Sequence, residues 1–276
     1  VATSRFAAIQ RKSIFSFIGQ PMASLSAYAK TRGWLFIVSW AHRITGILLV
    51  LYLWFHIYTL SFLADPADYN SKMKVLQFFI FVILEWLLAI PVIFHALNGG
   101  RLILYESFEI RKNEILTRWV LVFSAVYTLL VGLMILLESQ NVTPVFYWVT
   151  TLALCIGVIY PVFSRIWATE NLLSWKLQRI TGAFLLVVIP AHLLFMHLNV
   201  AIGHEADIVI ARMQNFFIKI IDTAILLSAL YHGGYGILAI AKDYIQSKNL
   251  QTIFAGLIVL IMILFGWFGT KLTFTV

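Results

Sequence analysis

Cysteine is nearly absent from this sequence. The single copy, Cys155, lies inside a hydrophobic run, so the chain has no intrachain disulfide, no thiolate set for an iron–sulfur cluster and no covalent c-type haem attachment. Charge is scarce too: Asp, Glu, Lys and Arg make up 12% of the residues, where a soluble domain carries about a quarter. No glycine-rich dinucleotide fingerprint is present, which removes nucleotide-dependent oxidoreduction from what the chain does alone. No Gly/Ser linker or low-complexity tract separates one part from another. Near the N-terminus, Arg5, Arg11 and Lys12 accompany neither a clean apolar core nor a cleavage site, so that end is not expected to be a signal peptide.

Apolar residues fill the space that charge leaves. They make up 61% of the 276 residues, with a mean hydropathy of +0.91. This is the composition of an integral membrane protein, whose spanning helices each need about 20 apolar residues. Apolar segments run over 34–63, 75–105, 118–138, 144–168, 175–201, 214–241 and 252–270. They predict an all-α transmembrane bundle of about seven spanning helices. The connection 64–74, with Asp65, Pro66 and Asp68, suits a turn, and the charged stretch 106–117 is expected in water. Residues 1–32 mix Phe6, Ile9, Phe15, Phe17 and Ile18 with basic residues, as a cytoplasmic segment on the membrane surface or against a partner would. With the N-terminus inside, fifteen Lys and Arg fall on the inner face and five on the outer. That bias puts the N-terminus in the cytoplasm. The net charge of +8 then reflects topology and lipid headgroups, not nucleic acid.

A four-residue element occurs twice. Arg43-Ile44-Thr45-Gly46 is followed by nine residues and His56; Arg179-Ile180-Thr181-Gly182 is followed by nine residues and His192. Further on come His95 and His232, each with a glycine four positions later, Gly99 and Gly236, and an acid ten positions earlier, Glu85 and Asp222. A period above 130 residues is too long for a solenoid and indicates a duplicated half-protein. The expected division is 1–32, a first three-helix repeat 33–138, a connecting helix 139–170 and a second repeat 171–276. Parallel repeats of three crossings leave the chain on the wrong side to begin again, and one extra helix returns it.

Helical rise sorts the histidines by depth. His56 and His192 lie about 20 Å from the inner surface, His95 roughly 9 Å and His232 roughly 15 Å. His56 therefore pairs with His192 in the outer leaflet and His95 with His232 in the inner one, each pair drawing one ligand from each half. Two pairs of this kind are what two bis-histidine haems require. Gly99 and Gly236 sit one turn beyond their histidines on the same face, clear of a porphyrin lying there, and Gly46 and Gly182 let their helices approach the inner haem. Packing histidines hydrogen-bonded between helices are the plain alternative. Four of them with matched glycines favour function, because ionisable groups in a bilayer are costly. His197 is a rival outer ligand without a counterpart, His204 is expected in a solvated loop, and His42 is placed to contact haem carboxylates or a quinone. Glu85 and Asp222, about 15 Å outward of the inner ligands, are candidates for proton or quinone groups near the outer haem. Acids buried against neighbouring helices are the alternative.

Ser39-Trp40-Ala41-His42-Arg43-Ile44-Thr45-Gly46 resembles the Ser-x-x-His-Arg-x-Ser/Thr-Gly signature of the larger membrane-anchor subunit of succinate dehydrogenases and fumarate reductases. His95-x-x-x-Gly99-x-Arg101 resembles that subunit's ligand helix, and His232 followed by Asp243-Tyr244 resembles the ligand helix of the smaller anchor subunit. The elements at His56 and His192 are similar to dihaem members of the family. The resemblance implies a cytochrome b with two haem b groups in a cytoplasmic (inner) membrane, apparently a fusion of the two anchor subunits. Its partners would be a flavoprotein that interconverts succinate and fumarate and an iron–sulfur protein, both on the cytoplasmic face. The oligomeric state of the complex stays open. Ser39, Arg43, Asp243 and Tyr244 would line a pocket for menaquinone or ubiquinone, with Tyr244 and Ser39 donating to its carbonyls and Arg43 pairing with Asp243. Some dihaem relatives carry a proton-transferring glutamate where this chain has Leu230. Two other readings remain: the cytochrome b subunit of a hydrogenase, formate dehydrogenase or nitrate reductase, and a non-haem transporter with repeated halves.

Overall fold

The computed structural model describes residues 33–76, 79–110, 112–137, 144–196 and 205–275. The expectations for segment 1–32, His197 and His204 fall outside them. The described residues are helical, with no strand among them. Seven long helices carry the apolar segments: α1 (Trp34–Leu60), α3 (Phe79–Ser107), α4 (Asn113–Leu137), α5 (Pro144–Trp167), α6 (Leu173–Met196), α8 (Phe216–Tyr244) and α9 (Lys248–Thr275). Each is long and apolar enough to cross a membrane, so the protein is an integral membrane protein of helical spans.

Two compact units are distinguished, residues 1–41 and 42–276. The described part of the first holds Gly33, at a φ of +80° that suits glycine, and the first turns of α1, where the Phe36 and Trp40 rings meet edge to face at 6.4 Å. Within the second unit, α3 packs on α4, α5 on α6, α6 on both α3 and α8, and α8 on α9. Leu53, Trp54 and Ile57 of α1 pack against Leu226 and Leu230 of α8 and Phe265 of α9.

Two short helices correct the expected loops. Residues 64–74 do not form a turn alone, because Pro66–Leu76 is helix α2. Asp65 caps it, its carboxylate accepting from the backbone N–H groups of Ala67 (3.0 Å) and Asp68 (3.3 Å), and Pro66 takes the first helical position, where its missing N–H costs nothing. Turn-forming residues in this order start a helix. Its counterpart α7 (Ala206–Met213) lies between α6 and α8. The Asn70 side chain of α2 accepts from the Ala206 N–H at 2.8 Å, and Leu63, Tyr69, Met73, Ala206, Met213 and Leu272 form a buried cluster there. The charged stretch 106–117 also contracts, since α3 continues to Ser107 and α4 begins at Asn113.

Candidate functional site

The site begins with where two imidazoles send one nitrogen each. His95 on α3 has Nδ1 3.1 Å from the carbonyl oxygen of His42 on α1. His232 on α8 has Nδ1 3.1 Å from the carbonyl oxygen of Gln178 on α6. His42 and Gln178 each directly precede the arginine of the repeated element. A neutral imidazole donating through Nδ1 keeps Nε2 as its lone-pair nitrogen, which is the nitrogen a metal takes. A threonine supports each carbonyl: the hydroxyl of Thr45 donates to His42 at 3.0 Å, and that of Thr181 reaches Gln178 at 3.2 Å. Glycine then makes the room. A Cβ on Gly46 would stand 2.9 Å from His95 Cε1, and one on Gly182 3.0 Å from His232 Cε1. The Thr-Gly dipeptide thus works as a unit in both halves, a role that spacing alone does not reveal. Gly99 and Gly236 are less constrained, with a Cβ meeting His42 at 3.8 Å and Gln178 at 3.9 Å.

The rings of His95 and His232 come close together. The ring centroids of His95 and His232 are 6.2 Å apart, with planes at 88°. Two imidazoles sharing one metal at about 2 Å from each ligating nitrogen place their centroids about 6 Å apart. His42 stacks flat on His95 at 4.0 Å.

Beside this pair lies a cation whose hydrogen-bond partners are neutral. Arg101 is buried and donates from Nε to the Asn98 side chain (2.8 Å) and from a terminal nitrogen to that of Asn113. Among the described residues it has no carboxylate partner. Asn98 is fully buried, and neither its Nδ2 nor His42 Nδ1 has a hydrogen-bond partner among the described residues. Buried donors and a buried cation without an acid are costly unless an anion joins them. The haem carboxylates have that chemistry. The histidine pair, the glycines and this cationic recess therefore fit a haem. The sequence motifs contain Arg101, Thr45 and Thr181 without a role for them, and Asn98 and Gln178 stand outside those motifs; an arginine six positions after His95 is the available signal.

At the end of the bundle where α3 and α8 terminate, each repeated arginine pairs with an acid from the other half. Arg43 holds Asp243 at 2.9 Å and donates to the Tyr244 hydroxyl at 3.0 Å. Arg179 grips both carboxylate oxygens of Glu106, at 2.9 and 3.0 Å. Asp243 follows His232 by eleven residues and Glu106 follows His95 by eleven, so the two pairs correspond. Tyr244 corresponds to Ser107, so only one pair has a phenol beside it. Ser39 belongs to the other compact unit, residues 1–41.

Towards the opposite end, His56 stacks on Tyr52 at 5.5 Å, and His192 Nδ1 lies 3.6 Å from the carboxylate of Asp222. Glu85 lies on α3, and its side chain is outside the description. The Leu230 side chain is buried between α1 and α8, against Ile57 and Leu226.

The described residues define a helical integral membrane protein. A model of the succinate dehydrogenase/fumarate reductase transmembrane subunit family matches residues 25–132 and 158–268, well over half of the chain. The chain belongs to this family, the membrane anchors of complexes that oxidise succinate or reduce fumarate. The unmatched stretch between the two segments falls on α4, α5 and their connection. No curated protein and no solved structure matches the chain.

Proposed function

We propose that this chain is a dihaem cytochrome b anchor, carrying electrons between a cytoplasmic iron–sulfur subunit and membrane quinone. The perpendicular His95–His232 pair, with both Nδ1 atoms committed to backbone carbonyls, is the observation that carries this reading. His95 and His232 would hold the inner haem through Nε2, with Arg101, Asn98 and His42 receiving its carboxylates. His56 and His192 would hold the outer haem. Bound haem supplies a one-electron relay through the low-dielectric interior. The chain's own residues hold it, exclude water and tune its potential. Matching contacts at Gly46 and Gly182 support two parallel repeats, 33–138 and 171–276, joined by 139–170.

Quinone reduction takes two electrons and two protons, so its site needs polar groups at the edge of an apolar pocket. The Arg43–Asp243–Tyr244 group meets that need. Arg43 fixes the tyrosine hydroxyl, and its positive charge favours the developing negative charge on a quinone oxygen. The Glu106–Arg179 group lacks the phenol and is locked by two hydrogen bonds, so it serves as a tie between halves. Flavoprotein and iron–sulfur subunits would dock at this end, on the cytoplasmic side.

The purified complex tests the reading directly. Dithionite reduction should give b-type bands with two haems per chain, and succinate should reduce haem through the partner subunits. His95→Ala and His232→Ala should each lose the inner haem; His56→Ala and His192→Ala should each lose the outer one. A colourless protein, or all four variants retaining both haems, would sink the proposal.

A further inference from the structure

The residues of the inner pair share one pattern, and His192 departs from it. His95 and His232 both address neutral backbone carbonyls. His192 instead has Nδ1 3.6 Å from Asp222 Oδ1, a few tenths of an ångström beyond a hydrogen bond. The side chains are only 21% and 17% exposed, so water does little to screen them from each other. The surroundings hold this geometry. Ile218, one turn before Asp222 on α8, packs with Ala191 and with Trp148 of the connecting helix α5. The Tyr147 hydroxyl, also on α5, donates to the Ala191 carbonyl at 2.8 Å, one residue before His192. A helix with no counterpart in the repeat thus braces the segment that carries this one histidine.

We propose that Asp222 is the positioning residue of the outer haem, fixing His192 with its proton on Nδ1 and making it a stronger donor to ferric iron than the carbonyl-bonded histidines of the inner haem. This rests on the dihaem reading above. Its basis is a general one: a carboxylate accepting from a ligand imidazole orients the ring and raises its basicity, which stabilises the more positive oxidation state of the metal. Asp222 then acts through His192 and needs no contact with quinone.

The test is a potentiometric titration of the haems in the whole purified complex, for wild type, Asp222→Asn and Asp222→Glu. His56→Ala identifies which component belongs to the outer haem. Asparagine keeps the volume and removes the charge, so Asp222→Asn should retain both haems and shift the outer ferric/ferrous equilibrium about tenfold towards ferrous, ~59 mV upward for one electron. Asp222→Glu should restore at least half of that shift, and the inner potential should not move in either variant. Loss of the outer haem in Asp222→Asn with its retention in Asp222→Glu also supports the role. An outer potential that moves less than twofold in Asp222→Asn overturns it. So does a glutamate variant that behaves like the asparagine one, or loss of the outer haem from both. If the wild-type complex carries no haem dependent on His56 and His192, the dihaem reading itself falls; with that haem present and unmoved, only the Asp222 assignment does.

Discussion

Gly182 meets His232 Cε1 with no space for a methyl group, since a Cβ there would stand 3.0 Å away. Overpacking a site held from both sides costs about 1–3 kcal/mol. Here the ring must keep its Nδ1 contact to Gln178 and cannot retreat freely. Gly182→Leu should therefore lower inner-haem occupancy severalfold, read as the haem-to-protein ratio after pyridine extraction, while the outer haem stays. Gly157→Leu on α5 is the matched control, because nothing lies within 4 Å of a Cβ there and both haems should stay in place. Tyr244→Phe removes only the hydroxyl that Arg43 addresses. It should depress quinone turnover at least tenfold while succinate oxidation with an artificial acceptor at the flavin is unchanged. Equal loss in both assays would mean a failure of assembly. At this scale two expectations correspond to contacts: His95 and His232, which recur at fixed spacing, come together, and Arg43 pairs with Asp243 as the resemblance implies. The sequence was unreadable where a backbone atom does the work. Nothing in the letters Gln178 and His42 says that their carbonyls receive an imidazole, because any side chain can sit on such a carbonyl. The Arg101 recess was missed for a related reason: its partners Asn98 and Asn113 belong to different helices and carry no charge to mark them.

Among the elements, hydropathy sets the long helices because lipid leaves a backbone few alternatives to a continuous helix. The short ones escaped that logic. Residues 66–76 carry Pro66, Asp68, Lys72 and Lys74, and on hydropathy alone they read as a connection. The helix forms because Asp65 caps it and because Tyr69 and Met73, one turn apart, bury the same face against α7. Asp65→Ala should cost about 1 kcal/mol through the lost cap. The expected result is a lower thermal midpoint in detergent with an unchanged inner-haem spectrum, since Asp65 follows the end of α1, many helical turns beyond the His42 carbonyl that meets His95. The Glu106–Arg179 tie also belongs to this scale. It joins the end of α3 to the start of α6, and its side chains are 31% and 24% exposed, so solvent screens it in part. Glu106→Gln should weaken thermal stability modestly and leave quinone turnover near wild type, in contrast to Asp243→Asn, which should impair turnover. Comparable turnover loss in both would mean that the two groups share one function and that the asymmetry drawn from Tyr244 is wrong.

In the molecule as a whole, the proposed ligand pairs depend on the parity of the crossings. Each proposed haem takes one histidine from each half, and the members of a pair meet only if both halves enter the membrane with the same orientation. Three crossings end on the face opposite to where they began. A direct fusion of the halves would insert the second one upside down, carrying His192 away from His56 to about the depth of His95. In the proposed arrangement helix α5 restores the parity; the break in the family match, residues 133–157, takes in its first part. Deleting residues 139–170 should therefore abolish both haems in the fused chain and move the C-terminus to the other side, read by a topology reporter attached after α9. The same deletion made as a break, with residues 1–138 and 171–276 expressed as separate chains, frees the second half to orient by its own basic residues, Lys176 and Arg179, on the cytoplasmic side. At least the inner haem should return, since its ligands and Gly46, Gly182 and Arg101 all lie outside the deleted helix. The outer haem should return less fully, because Tyr147 and Trp148 no longer brace α6 beside His192. A fused deletion that keeps both haems would show that the halves do not need parallel insertion, and the pairing of ligands by depth would have to be abandoned.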